Sequence, residues 1–191
     1  MEHPRFIVGI GGSAGGLAAY QELLTALPPR TGMAFVIVAH LLPTATSHLA
    51  RILSRHTKMK VLIASMAMPV LINHVYVISP DTDILIDKYK FQVISPRSGR
   101  NRQIDVFLTS LADSMGAHAI GIILSGYDGD GTRGCEQIKA KGGITFAQDL
   151  SATVTDMPRH AAAAGSIDFV LPPKKIADEL QRIATADMGK A

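Results

Sequence analysis

The sequence predicts an α/β fold: a doubly wound, mostly parallel central sheet with flanking helices and a small antiparallel β-ribbon insertion. Three observations carry this. Short β-branched runs that are almost wholly apolar alternate with helical stretches, as expected of parallel strands covered on both faces. The first run, Phe6–Ile10, passes straight into a glycine-rich turn, the strand-to-helix connection of such sheets. Between about residues 74 and 94, three apolar runs lie close together with polar turns between them, which reads as antiparallel ribbon.

Taken in order, strands are expected at Phe6–Ile10, Ala34–Ala39, Val61–Ala64, Ala119–Leu124, Ile144–Ala147 and Asp168–Leu171. Ribbon strands are expected at Val75–Ile78, Ile84–Ile86 and Phe91–Ile94. A helix over Gly16–Leu27 is closed by Pro28 and Pro29, and a second covers Ser47–Arg55. The helix at Ile104–Met115 repeats apolar residues at Ile104, Phe107, Leu108 and Leu111, one face of a 3.6-residue period. Thr132–Lys141 is followed by Gly142 and Gly143, which terminate it; Pro158–Ala164 and Lys174–Ile183 complete the set. Residues 96–102 read as an exposed basic loop. The 191 residues suit one domain, expected over 1–184 with the insertion at about 74–94 and a flexible tail at 185–191.

Composition narrows the function classes. With 47% hydrophobic and 18% charged residues the chain is globular. The net charge of +3 comes from dispersed Lys and Arg, and with no Trp and 5% aromatics there is little to stack on bases; nucleic acid is not an expected partner. A single cysteine, Cys135, excludes an internal disulfide and fits a reducing compartment. The run after Met1–Arg5 is broken by glycines at once, so neither a secretory signal nor a membrane span is expected. Together these place the chain in the cytoplasm.

The turn Gly11-Gly-Ser-Ala-Gly15 matches the G-x-S-x-G nucleophile elbow. Read from Gly9 to Ala14, the same residues satisfy the dinucleotide fingerprint G-x-G-x-x-G/A. A plain tight connection is the third reading. The end of the next strand discriminates. A dinucleotide site wants an acidic residue there to hold a ribose hydroxyl, and this chain has His40. Residues just past the ends of neighbouring parallel strands converge, so His40 should lie near Ser13, as a base lies near its nucleophile. A carboxylate to orient the imidazole should follow a later strand. Ser125-Gly-Tyr-Asp-Gly-Asp-Gly131 offers Asp128 and Asp130, although an Asp-Gly pair is more often a turn former. The further oxygen ligands of a calcium loop are absent. The order Ser, His, Asp also differs from that of the α/β-hydrolases.

Ile10–Gly16, Val38–Pro43, Asn73–Ile78, Leu124–Gly131 and Met157–Arg159 resemble, in order, the catalytic domain of the CheB chemotaxis receptor methylesterases. The likeness runs from about Phe6 to about Leu180. The wording of Asp168–Pro173 and Ala147–Asp149 is most similar to members fused to a receptor methyltransferase, which implies such a domain, or an external regulator, as a further partner. The resemblance implies a serine nucleophile at Ser13, its histidine at His40 and its aspartate at Asp130, the pattern Leu-Ser/Thr-Gly-x-Gly-x-Asp-Gly selecting Asp130 over Asp128. It also implies oxyanion donors at the N–H groups of Ala14 and Tyr127, and hydrolysis of glutamyl methyl esters on the cytoplasmic helices of chemoreceptors, with glutamine deamidation in some members. No cofactor or metal is implied.

The chain departs from the pattern at Asp128, where the family has glycine, at Ala39, where glutamine is common, and at Asp156, where glycine is usual. Asp128 motivates the alternative of a non-catalytic signalling domain of the same fold. The receiver domain typical of the family has no room before the first strand, so a stand-alone enzyme or a segment of a longer chain is expected. The Ser13 hydroxyl should lie about 3 Å from His40, or further before substrate binds, with Asp130 on the far ring nitrogen. His48 and His56 read as surface histidines, Arg51, Arg55 and Arg97–Arg102 as a solvated or receptor-facing set, Cys135 as a packed thiol, and Met66, Met68, Met115 and Met157 as core.

Overall fold

The structure, a computed structural model, describes residues 3–42, 44 and 48–188, with side chains to residue 186. Pro43 and Ser47 lie outside the described residues, as does the end of the tail from 189 onward. The first half runs β1 (Ile7–Gly12), α1 (Gly16–Ala26), β2 (Ala34–Ala39), α2 (Leu49–Leu53), β3 (Lys60–Ile63), β4 (His74–Val77), β5 (Asp83–Asp87) and β6 (Lys90–Ile94). The second half runs α3 (Gln103–Met115), β7 (Ala119–Ile123), α4 (Thr132–Ala140), β8 (Ile144–Gln148), α5 (Asp156–Ala163), β9 (Phe169–Leu171) and α6 (Pro173–Met188). Seven strands form one sheet in the order β3-β4-β2-β1-β7-β8-β9, and every pairing in it is parallel.

Alternation along the strands feeds two cores. Val8, Ile10, Phe35, Ile37, Val75, Val77, Ile120 and Ile122 point to the face covered by α1 and α6, packing with Tyr20, Leu23, Leu24, Ile176 and Leu180. Ile7, Val36, Val38, Tyr76 and Ile123 point to the other, packing with Phe107, Leu108 and Leu111 of α3, Ile138 of α4 and Met157 of α5. A fully buried side chain of this size contributes about 1.5–3 kcal/mol. Gly11 fixes the height of α3 over β1, since a Cβ there would fall 2.5 Å from Cγ2 of Ile104. Only a glycine lets the first turn of α3 come down beside the end of β1.

Four expectations are corrected. Among the described strands the ribbon is the β5–β6 pair, with an antiparallel bridge from Pro69 to Lys90 at its edge; His74–Val77 is a parallel strand between β2 and β3. Val75, Tyr76 and Val77 are buried on both faces, the same continuous apolar run as the other central strands, and short spacing made it look like a hairpin arm. Residues 185–188 continue α6 rather than forming a tail, with Thr185 Oγ1 donating back to the carbonyl of Gln181 at 3.0 Å. Helix α2 is a short piece over Leu49–Leu53. Met115 and Met157 are core, but Met66 is 63% exposed. Among the described residues no helix is long and apolar enough to cross a membrane.

Candidate active site

The site is built from the loops that follow β1, β2 and β7, the central strands of the sheet. Gly12 closes β1, and the N–H of Gly16 donates to the carbonyl of Ser13 at 3.0 Å, so residues 13–16 form a tight turn. Gly15 stands at φ 74° and ψ −6°, the third position of a type II turn, which disfavours any residue with a Cβ. A Cβ at Gly15 would also meet Ser125 Oγ at 2.6 Å and Thr153 Cβ at 2.7 Å. Ser13 is therefore held half-buried at the head of the turn.

Ser125 lashes three strand ends together. It is 1% exposed; its carbonyl accepts the N–H of Ser13 at 2.9 Å. Its Oγ donates to the carbonyl of Ala14 at 2.8 Å and accepts the N–H of Val154 at 2.9 Å. Its own N–H donates to Gln148 Oε1 at 3.0 Å. A hydroxyl both donates and accepts, so one buried side chain ties the turn after β1 to the loop after β8.

His40 is the next residue after β2. Gly12 pairs with Ala39 in the parallel register, and the His40 N–H donates to the Gly12 carbonyl at 3.4 Å. Ser13 and His40 are thus successive residues beyond one paired position, as the strand-end argument requires. The imidazole Nε2 donates to Asp130 Oδ2 at 2.7 Å, with the two side chains only 8% and 1% exposed. Asp130 further accepts the N–H of Ile104 on Oδ2 at 3.1 Å and of Asp105 on Oδ1 at 2.9 Å. Its charge therefore sits at the N-terminus of α3, where the helix dipole favours it.

In the serine-protease relay the acid takes Nδ1 and the nucleophile takes Nε2. Here the acid holds Nε2, which leaves Nδ1 as the nitrogen able to accept a proton. The Ser13 hydroxyl makes no hydrogen bond among the described residues, so the direct bond to His40 is not formed. Nucleophile–base bonds of this kind often tighten only in the complex with substrate.

Asp128 does not compete for the histidine. Its backbone lies at φ 64°, a left-handed conformation that glycine adopts freely and aspartate tolerates through local hydrogen bonds. Oδ1 accepts the N–H of Asp130 at 2.9 Å, and Oδ2 accepts Asn101 Nδ2 at 3.0 Å. The Asp128 carbonyl accepts His160 Nδ1 at 2.9 Å. The departure from glycine therefore keeps the loop's shape and braces it from two sides. Among the described residues the N–H groups of Ala14 and Tyr127 enter no hydrogen bond, whereas the N–H of Gly126, the residue before Tyr127, is taken by the Val154 carbonyl at 3.0 Å.

A scan against protein-family models matches the CheB methylesterase model over residues 8–180. The chain belongs to the CheB methylesterase family. A Leptospira interrogans protein is 32% identical over 187 residues, 96% of each chain. The Rhizobium johnstonii protein-glutamate methylesterase/protein-glutamine glutaminase 2 is 36% identical over 182 residues, 91% of this chain. This chain spans about half (49%) of that relative's length. The crystal structure of the Thermotoga maritima CheB methylesterase catalytic domain superposes with a TM-score of 0.83 at 26% identity, covering 96% of this chain and all of that one.

Two further groups bear on the CheB-type site. Arg97 of the basic loop reaches the Leu41 carbonyl at 3.4 Å, and Asn101 holds Asp128, so that loop abuts both the His40 and the Asp130 segments. Cys135 is fully buried, and burial pushes its thiol well above the usual range, which removes it as a competing nucleophile. Ser125 and Asp105 were not singled out by the sequence reading. The signal for Asp105 was an acidic residue in the first turn of a helix.

Proposed function

We propose that this chain is a serine esterase that hydrolyses glutamyl methyl esters on the cytoplasmic helices of chemoreceptors, as a cytoplasmic member of its family. The observation that carries it is the buried 2.7 Å contact from His40 Nε2 to Asp130, on a histidine whose backbone is bonded to the residue before Ser13. With Nε2–H held by the carboxylate, a neutral imidazole carries its free lone pair on Nδ1, the nitrogen that would take the Ser13 proton.

Ser13 Oγ attacks the ester carbonyl as His40 Nδ1 accepts its proton. The tetrahedral oxyanion is received by the N–H groups of Ala14 and Tyr127, which have no hydrogen-bond partner among the described residues. Asp130 stabilises the imidazolium across Nε2. Collapse breaks the C–O bond, and His40 returns the proton to the methoxide, releasing methanol. Water, deprotonated by the same nitrogen, then attacks the acyl-serine; the bond from the carbonyl carbon to Ser13 Oγ breaks, His40 returns the proton to Oγ, and a glutamate is left. With a glutamine side chain the same steps release ammonia. Methanol release from methylated receptor fragments tests this: wild-type protein should be active and Ser13→Ala inactive, and a wild-type protein inert on receptor fragments and on simple esters would end the proposal.

A further inference from the structure

We propose that Asp105 is a positioning residue for Asp130, through an exchange of helix N-terminal contacts between α3 and α4. Asp130 stands just before α4 and gives its carboxylate to the first turn of α3, accepting from Ile104 N–H and Asp105 N–H. Asp105 stands in that first turn of α3 and gives its carboxylate to the start of α4. Its Oδ1 accepts the N–H of Gly131 at 2.9 Å and of Gly134 at 2.8 Å. Each carboxylate thus holds the backbone that carries the other.

The consequence is leverage on one atom. Gly131 follows Asp130 directly, so the Asp105–Gly131 bond sets where the Asp130 backbone lies. The Asp105 N–H on Oδ1 then sets how the Asp130 side chain turns. Oδ2 is left aimed at His40 Nε2. Two anions at close range cost energy. Burial pushes the Asp105 carboxyl above its ordinary value, and the Asp130 charge adds to this, while the N–H groups of Gly134 and Gly131 and the charge of Arg133 pull it down. What the site needs from Asp105 is an oxygen at the Oδ1 position. The other oxygen, Oδ2, has no hydrogen bond among the described residues, so an amide nitrogen placed there displaces nothing.

The inference rests on the proposed esterase reading, and its test is chosen to be independent of turnover. Asparagine keeps the acceptor, alanine removes it, and glutamate keeps the charge but shifts the acceptor by one methylene. The primary readout is proton NMR of the downfield His40 Nε2–H donated to a carboxylate, a charge-assisted bond of the strong kind. It should be present in wild type and Asp105→Asn, and broadened or lost in Asp105→Ala and Asp105→Glu. On a small neutral ester, Asp105→Asn should stay within a few-fold of wild-type kcat, and Asp105→Ala should lose about 10–100-fold in kcat with KM little changed. If the alanine variant does not fold, the glutamate and asparagine variants decide by their order. The proposal is overturned if glutamate outperforms asparagine, if asparagine loses the resonance, or if alanine keeps both the resonance and kcat while only its stability falls. A wild-type protein without esterase activity would refute the proposed function, and the NMR series would still judge Asp105.

Discussion

Replacing Asp130 with asparagine separates the charge of the carboxylate from its shape, because its two oxygens are used unequally. Oδ2 receives both His40 Nε2–H at 2.7 Å and the Ile104 N–H at 3.1 Å, whereas Oδ1 receives only the Asp105 N–H at 2.9 Å. The amide nitrogen is therefore best placed at the Oδ1 position, where it opposes one donor; the reverse orientation would oppose two. One facing donor pair costs about 1–3 kcal/mol of stability. His40 stays hydrogen-bonded to an oxygen and keeps its tautomer. What disappears is the negative charge opposite the imidazolium of the proposed transition state. With charge centres about 4 Å apart and an effective dielectric constant of about 20, that charge is worth about 4 kcal/mol, or about three powers of ten in rate. The assay is initial-rate hydrolysis of a neutral p-nitrophenyl ester over a range that separates kcat from KM, with methanol release as a cross-check. The loss should fall in kcat. Asp128→Asn, which retains the oxygen that caps the Asp130 N–H, should lose a few-fold at most. The reasoning fails if Asp130→Asn keeps more than about a tenth of wild-type kcat, or if the Asp128 variant falls as far.

Two further perturbations test the frame around the site. Gly131 has φ 93°, and a Cβ there would overlap Ile123 Cδ1 and lie 2.7 Å from Ile104 Cγ2. Gly131→Ala should therefore cost about 2–4 kcal/mol in urea unfolding, from backbone strain and overpacking together; a change too small to move the midpoint would refute this. Asp168 presents a pH test. Burial works to raise its pKa, but hydrogen bonds from Lys139 and from the N–H and hydroxyl of Thr145, with the Lys139 charge, outweigh it and hold it below the ordinary value. A carboxyl depressed in the folded state contributes stability that is present above the unfolded carboxylate range and is lost as pH falls through the folded value. Asp168→Asn should lower stability at pH 7 by about 1 kcal/mol, Lys139 being half-exposed. The two proteins should converge below the carboxylate range, and a gap that persists there would refute the assignment.

What could be read from the sequence was whatever a parallel sheet converts from order into place. Ser13 and His40 lie one residue beyond a paired position on adjacent strands, and Asp130 lies beyond β7 on the other side of β1, so apolar runs and their ends were enough to bring Ser13, His40 and the loop of Asp128 and Asp130 to one place, while the choice of Asp130 over Asp128 came from the family resemblance. The arm at His74–Val77 failed for lack of topology: Val75–Ile78 had the continuous apolar character of a central strand, and proximity to two true ribbon strands outweighed it. The choice of Nε2 for Asp130 depends on rotation of one ring, which no spacing encodes. Asp105 was hidden for a different reason, being 25 residues from its partner and effective only because α3 lies over β1 at one height. That height is set by Gly11, where any side chain would collide with Ile104. Ile104 and Asp105 carry the two N–H groups on Asp130. Gly11-Gly-Ser-Ala-Gly15 therefore acts on both ends of the proposed relay: its later residues turn Ser13 out of the sheet, and its first admits the helix end that holds the acid.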